Sequence, residues 1–458
     1  MSVTGLHWHD AALAVASDGS LVSSAASVVH ADPARPTLLG QPATDVARLS
    51  PRSVSSEHWA TIAREGQRAP LPAINVARAE LARRVDDALR ANPLQCAVSA
   101  VHDGALGTLL AIARLEGITV GGLHDSAALA VAASGLQTTT LVLEMGLAHV
   151  TVTRVECSDG EARRRAAVVR RGIGLLALQQ RWLRMVGEAM VLATRFDPLH
   201  DGASEQRLFD VLESAAARAA ESGSCVIELP TTGEVARVEL GRDLFIEAAA
   251  EVLRSLVGAV HELRPAGQRI NLLFDESLLR LPGLLEQLAE LRGCRLLTHA
   301  PGLIARAVSL TRGEADADGA VTLQRGCTLS TVLEPACDVA QLARLTVKDT
   351  PPTHVLWDGR AVALPHQGSL EIGRSPAAGG IHLAEGLTGV SRLHCSLRVE
   401  ESQVTLVPHT AQSTWLNDER VQGRVRVISG DRLRLGSPGV LIELIAVGGL
   451  RDGASPQH

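Results

Sequence analysis

Arg374 closes the run EIGR, and Ser391 and Arg392 open the run SRLH. Two guanidinium groups and a hydroxyl at the ends of alternating apolar segments make the chemistry of an anion site. A phosphate dianion needs cations and several donors held without reorganisation. A guanidinium forks onto two phosphate oxygens, which an ammonium cannot do, and Lys348 is the one lysine of the chain. A second set is His7, His9 and Asp10. On a strand His7 and His9 share a face, and imidazole with carboxylate is metal-ligand chemistry. With no third ligand within sequence reach, this set reads as structural, with no metal. A third set, ARRRAAVVRR (Ala162 to Arg171), is basic. The net charge of −6 makes it read as the solvated face of a strand rather than a seat for nucleic acid or acidic lipid.

The elements that must position these groups fall into two classes. Up to about residue 312, strand and helix patterns alternate, which argues an α/β fold with a mixed sheet. Residues 6–30 read as strand, turn and strand around SDGS, and Ile74 to Asn92 as a helix stopped by Asn92-Pro93. QCAVSAV is a buried strand, TVGGL a short one, and DSAALAVAAS a helix capped by Asp125 or Ser126. Two or three strands follow, turning near Gly146 and at Asp159-Gly160. Helices are expected over Leu175 to Ala193 and Glu205 to Glu221, then a hairpin around Thr232-Gly233, a long helix from RDLFIEAAAEV, the strand RINLLFD, and a helix with Pro282 near its first turn. GEADADGA begins a linker expected over 313–352, within which residues 320–350 read either as linker or as a small strand pair. From Val355 to Val447 only short strands with turn signals appear, from HVLWDG to VLIELIAV, which is the spacing of an all-β sandwich or barrel.

Composition narrows the function classes. With 2% aromatic residues, base-stacking platforms are not expected. Cys96, Cys157, Cys225, Cys294, Cys327, Cys337 and Cys395 form no CxxC pair and are odd in number, so neither a disulfide framework nor a zinc site is expected, and a reducing cytoplasm is. The N-terminus lacks the basic and apolar regions of a signal peptide. The longest apolar runs are too short to span a membrane.

In order and spacing, EIGR, VSRLH, STWLND and GDRLRLG resemble a forkhead-associated (FHA) domain, a β-sandwich whose loops at one end bind phosphothreonine peptides. The resemblance covers about a fifth of the chain. It implies phosphopeptide contacts from Arg374, Ser391, Arg392, Gln412 and Ser413. It implies structural roles for Gly373, for His394 as a loop buttress, and for Asn417 as a tie between loops. The chain departs from the family at AQST (Ala411 to Thr414), where Ser/Thr-Asn-Gly-Thr is usual. Ala411 replaces a phosphate-contacting hydroxyl, Gln412 the Asn that reads the peptide backbone, and Ser413 a glycine.

Residues 3–310 carry a second resemblance. AVSAVHDGALGTLLAIARLEGITVGGLHDSAALAVAASG, TTTLVLEMGLAHVTVT, RGIGLLALQQRWL and INLLFDESLLRLPGLLEQL are similar, in order, to segments of DnaK-type heat-shock chaperones. That implies an actin-like (ribonuclease H-like) bilobal ATPase domain over 1–312, with ATP and magnesium as the associated ligands, followed by the FHA domain over 353–448. In such folds, glycine-rich hairpins cradle phosphates with backbone amides and an Asp positions metal and water. Here the first hairpin, HWHDAALAVASDG, has no glycine at its tight turn. The second, LEMGLAHV, has Glu144 for Asp and Gly146 as its single glycine. The adenosine Gly-Gly-Ser becomes FDES (Phe274 to Ser277). A β-carbon at each lost glycine pushes the backbone away from a phosphate or purine. Asp10, Glu144 and Gly146 remain as a remnant nucleotide site.

The expected protein is therefore a bacterial cytoplasmic adaptor. It would bind a phosphothreonine-containing protein, with no nucleic-acid partner, no membrane insertion and no catalytic residues. Two alternatives stand beside it: a nucleotide-binding DnaK-like chaperone ATPase steered by its FHA module, and a subunit of a bacterial secretion or surface-assembly machine.

Overall fold

The computed structural model describes residues 3–32, 34, 36–231, 233, 235–265, 269–289, 291, 293–312, 321–340, 351–400, 403–410, 413–416, 419–421, 423–429, 431–436 and 439–446. The chain divides into two compact units, Met1–Val339 and Ala340–His458.

The first unit is α/β with two mixed sheets, and both repeat one strand order. In one, Ser20–Ala25, Leu13–Ser17 and Thr4–Trp8 run antiparallel, and Leu94–Val98 then Val120–Asp125 continue parallel to Thr4–Trp8. In the other, Glu161–Arg171, His149–Ser158 and Thr140–Met145 run antiparallel, and Ile270–Asp275 then Cys294–His299 continue in parallel. Leu94–Val98 and Val120–Asp125 are buried along their length and Ile270–Asp275 up to its last residue, whereas Cys294–His299 is buried only over its last three.

Helices Ser126–Ala133 and Leu303–Val308 share one core with strand residues of both sheets, among them Ala97, Val142, Leu273 and Leu297. Their alanine-rich sequences let backbones approach closely. At Gly5 a β-carbon would lie 2.5 Å from the Ser309 nitrogen and 2.7 Å from the Ala305 oxygen, so only glycine lets Thr4–Trp8 lie against the end of the second helix. Trp8 packs edge-on against Trp59 at 5.1 Å on the other side of the first sheet.

Three expectations need adjustment. The helix read over Ile74 to Asn92 is two, Leu71–Arg84 and Asp87–Arg90, because Val85 is extended and Asp86 caps a new start through the Leu89 N–H. The segment after Pro282 begins its α-helix only at Leu284, preceded by the 3₁₀ turn Glu276–Arg280. Part of the expected linker belongs to the first unit: Leu323–Gln324 pairs with Val120–Asp125, Gly326–Cys327 with Glu161–Arg171, and Cys337–Asp338 with Cys294–His299. Two-residue strands carry no periodicity to read.

The second unit is a β-sandwich. His354–Trp357, Arg360–Ala363, Thr414–Leu416, Glu419–Arg420, Arg432–Leu435 and Val440–Ile445 form one sheet. Gly368–Gly373, Ile381–His382, Cys395–Glu400, Gln403–Pro408 and Val425–Val427 form the other. Alternate residues, among them Leu370, Ile372, Leu397, Leu406, Leu433 and Ile442, point into the shared core. Each strand read in the sequence is present, within a residue or two of its expected limits.

Candidate functional site

In the second unit the strand end at Gly373 is held against the loop that carries Ser391 and Arg392. The Arg374 N–H donates to the Ser391 carbonyl at 3.1 Å and the Ser375 N–H to the Arg392 carbonyl at 2.8 Å. A β-carbon at Gly373 would sit 2.2 Å from that Arg392 oxygen, so the approach depends on glycine. His394 is fully buried behind the loops. Its Nδ1 accepts the Ser391 N–H at 3.2 Å, which leaves Nε2 as the donor toward the Ser413 carbonyl at 3.2 Å and the Thr414 hydroxyl at 3.1 Å. Burial lowers its pKa, partly offset by the Ser413 carbonyl, so the neutral ring is the favoured form.

Arg374, Ser391, Arg392 and Ser413 thus come together on three adjoining loops. Among the described residues the Arg374 guanidinium donates to the Glu385 carbonyl at 3.3 Å, and its buried Nε has no partner. Among the described residues no carboxylate pairs with Arg374 or Arg392. A buried guanidinium edge with no counter-charge is unfavourable unless an anion completes it. Ser413 turns its hydroxyl to the Gly389 carbonyl at 2.7 Å and so braces the loop. Ala411, Gln412 and Asn417 lie outside the described residues.

One residue was not read in the sequence. The Thr410 hydroxyl donates to the Ser391 hydroxyl at 3.2 Å, beside Arg374's loop. It stands one position before Ala411, where the family's hydroxyl is missing, so the signal was a hydroxyl in the neighbouring place.

Residues 370–436 match the family model of the FHA domain. The FHA family is one of phosphothreonine-peptide-binding interaction modules, and the two sheets of the second unit fit that fold. No curated protein matches the chain.

The first unit holds a cavity of about 900 Å³, with His7, His9, Glu144, His149 and His299 on its wall. Of the residues expected as a remnant site, Glu144 lines this cavity, and Asp10 and Gly146 lie behind its wall against His149. Asp10 Oδ1 accepts the Leu147 N–H at 3.0 Å. Gly146 packs so closely that a β-carbon would lie 2.4 Å from both Asp10 Oδ1 and the His149 ring. Glu144 accepts hydroxyls from Ser99 at 2.9 Å and Ser126 at 2.7 Å, and His7 Nε2 is 3.9 Å from it.

Several hairpin amides are engaged. His9 N–H donates to the His7 carbonyl and Ala12 N–H to the His9 carbonyl. Gly146 N–H goes to the His149 carbonyl, and the first N–H groups of helix Leu175–Thr194 go to the Gly146 and Leu147 carbonyls. A carboxylate therefore sits where backbone donors would meet an anion. Burial favours protonation of Asp10, but His149, then His9 and the Leu147 N–H, outweigh it and hold the carboxyl below its usual range. Burial lowers the pKa of His7 and of His149, and pushes His102 down to about 3.

His149 supplies what the sequence reading lacked for His7, His9 and Asp10. His9, Asp10 and His149 each place a ligand atom within 4.8 Å of the others. Asp275 of the FDES run caps the turn after its strand by accepting the Ser277 N–H at 2.9 Å. The basic run lies on strand Glu161–Arg171, where Arg163, Arg165 and Arg170 pair with Glu161, Glu156 and Glu262, and Arg164 with Asp103 and Asp125.

Among the described residues no helix is long and apolar enough to cross a membrane.

Proposed function

We propose that the protein is a phosphothreonine-reading adaptor, and that its N-terminal unit is an actin-like, DnaK-related domain that does not turn over ATP. The observation that carries the first part is the Arg374 guanidinium, without a carboxylate partner among the described residues, at a strand end whose backbone is bonded to the loop where the Ser391 and Thr410 hydroxyls meet. In the bound state Arg374 would take two phosphate oxygens, Ser391 and Thr410 would donate hydroxyls, and Arg392 would add positive charge. Gly373 and His394 hold the loops so that little reorganisation is needed on binding.

The repeated strand order, with two buried helices sharing one core, supports the actin-like reading of the N-terminal unit. Loss of turnover rests on Asp10 occupying the Leu147 amide, on the engaged hairpin N–H groups, and on the lack of a glycine pair in either hairpin. Phosphoryl transfer depends on positioned charge and metal with little covalent help.

Calorimetry with matched phosphothreonine and unphosphorylated peptides tests the adaptor reading. Binding confined to the phosphorylated peptide and lost in Arg374→Ala is expected; equal binding of both peptides sinks it. The cavity favours one second reading, a nucleotide-binding chaperone ATPase. Steady phosphate release by purified protein, abolished in Glu144→Ala, would establish that reading instead.

A further inference from the structure

The cavity wall carries a cluster that neither phosphopeptide recognition nor loss of turnover explains. His9 and Asp10 directly follow the first strand of one sheet, Thr4–Trp8, and His149 begins the second strand of the other. They are 7%, 2% and 2% exposed. Among the described residues His9 Nε2, Asp10 Oδ2 and both ring nitrogens of His149 have no hydrogen-bond partner. His149 Nδ1 stands 3.5 Å from Asp10 Oδ2, and the His9 and His149 rings meet edge to face at 6.1 Å. Orphaned polar atoms at this burial are costly, and a cluster of them calls for an occupant. Asp10 Oδ1 is meanwhile fixed by the Leu147 N–H, which leaves Oδ2 to face the imidazoles. Such an outer hydrogen bond is what orients a ligating carboxylate.

We propose that His9, Asp10 and His149 bind a divalent first-row transition-metal ion, zinc or ferrous iron, on the wall of the cavity. Two imidazoles and one carboxylate suit these ions, whereas magnesium prefers oxygen ligands. The site thus differs from one in which magnesium is held by nucleotide phosphates. Bonds of about 2.0–2.2 Å require the donor atoms to draw together by roughly 1 Å from their present spread. That shift is available to His149, whose ring nitrogens are held by no hydrogen bond. His9 and His149 face the cavity, so the remaining coordination positions open into it and take water or a small anion. Gly146 is needed because a side chain there would occupy the space between Asp10 and His149.

The test uses tag-free full-length protein stripped with a chelator and titrated with cobalt(II), zinc and magnesium. One equivalent of cobalt is expected, with ligand-field bands and no thiolate charge-transfer band. Zinc should displace it and magnesium should not. Metal affinity should fall by more than about 100-fold in His149→Ala and in His9→Gln, beyond the loss caused by removing a partner that merely orients a ligand. Wild-type Tm should rise on adding zinc, a readout that needs no variant. No uptake by the wild type would overturn the site and leave the orphaned atoms to water. Uptake with a thiolate band, or unchanged in folded variants, would place the metal elsewhere and equally overturn it.

Discussion

The FHA loops and the N-terminal cavity both gather charged side chains on adjoining turns, with opposite results. In the FHA loops, among the described residues, a guanidinium is left without a carboxylate, two hydroxyls meet on the loop bonded to its backbone, and glycine brings the loops together. In the cavity a carboxylate of the chain accepts the hairpin amide, and imidazoles surround it. On the readings proposed above, the first arrangement would be completed by an anion and the second by a cation. Glycine serves both: Gly373 lets a strand end meet the Ser391 loop, and Gly146 lets Asp10 meet His149. What distinguishes the sites is the sign of the charge left unpaired.

The largest effect expected concerns the first unit alone. Burial pushes His124 down to about 4, and its Nε2 lies 3.0 Å from Gln95 Oε1 and 3.1 Å from the Thr311 hydroxyl. Above pH 6.5 the ring is neutral in both folded and unfolded chains. As pH falls from 6.5 toward 4, the unfolded chain binds the proton first, so stability declines across that window. Up to about 3 kcal/mol is at stake. Asp125, raised to about 7 by burial, and His102, lowered to about 3, titrate across the same window with opposite signs, so the readout is the difference in the pH slope of denaturant unfolding between wild type and His124→Gln; equal slopes would mean the ring protonates freely in the folded state.

Next in size is Arg374→Ala, which should weaken phosphopeptide binding by about 1.5–3 kcal/mol while the sandwich stays folded. Calorimetry reads the first and circular dichroism the second. Retained affinity would erase the contrast between the two sites.

Gly146→Ala should destabilise the N-terminal unit by about 1–3 kcal/mol through the clash with Asp10 and His149. Phosphopeptide affinity should be untouched, so unfolding and peptide titration of one variant separate the two regions. If stability holds, the hairpins are farther apart in solution.

The smallest effect is assigned to Thr410→Val, a loss of about 0.5–1.5 kcal/mol in phosphopeptide affinity. A neutral result would confine the Thr410 hydroxyl to bracing Ser391.

The sandwich was legible because each strand alternates around one core and its turns carry Gly, Pro and Asp. Arg374, Ser391 and His394 were legible because they lie in short motifs close to one another in sequence. The cavity cluster was not. His149 stood in plain view in LEMGLAHV, yet the Asp10–Leu147 hydrogen bond that brings the two hairpins together spans 137 residues. Neither hairpin specifies the other by periodicity or spacing.

Local pattern therefore determined the α/β and all-β division, the strands, and the residues suited to meet an anion, since these depend on near neighbours in the chain. Tertiary structure decided that residues 321–339 join the first unit, that Thr410 stands beside Ser391, and that His149 completes a set with His9 and Asp10. Strand partners and side-chain neighbours from distant hairpins are chosen by packing over the whole core, and packing is a property no short window of sequence contains.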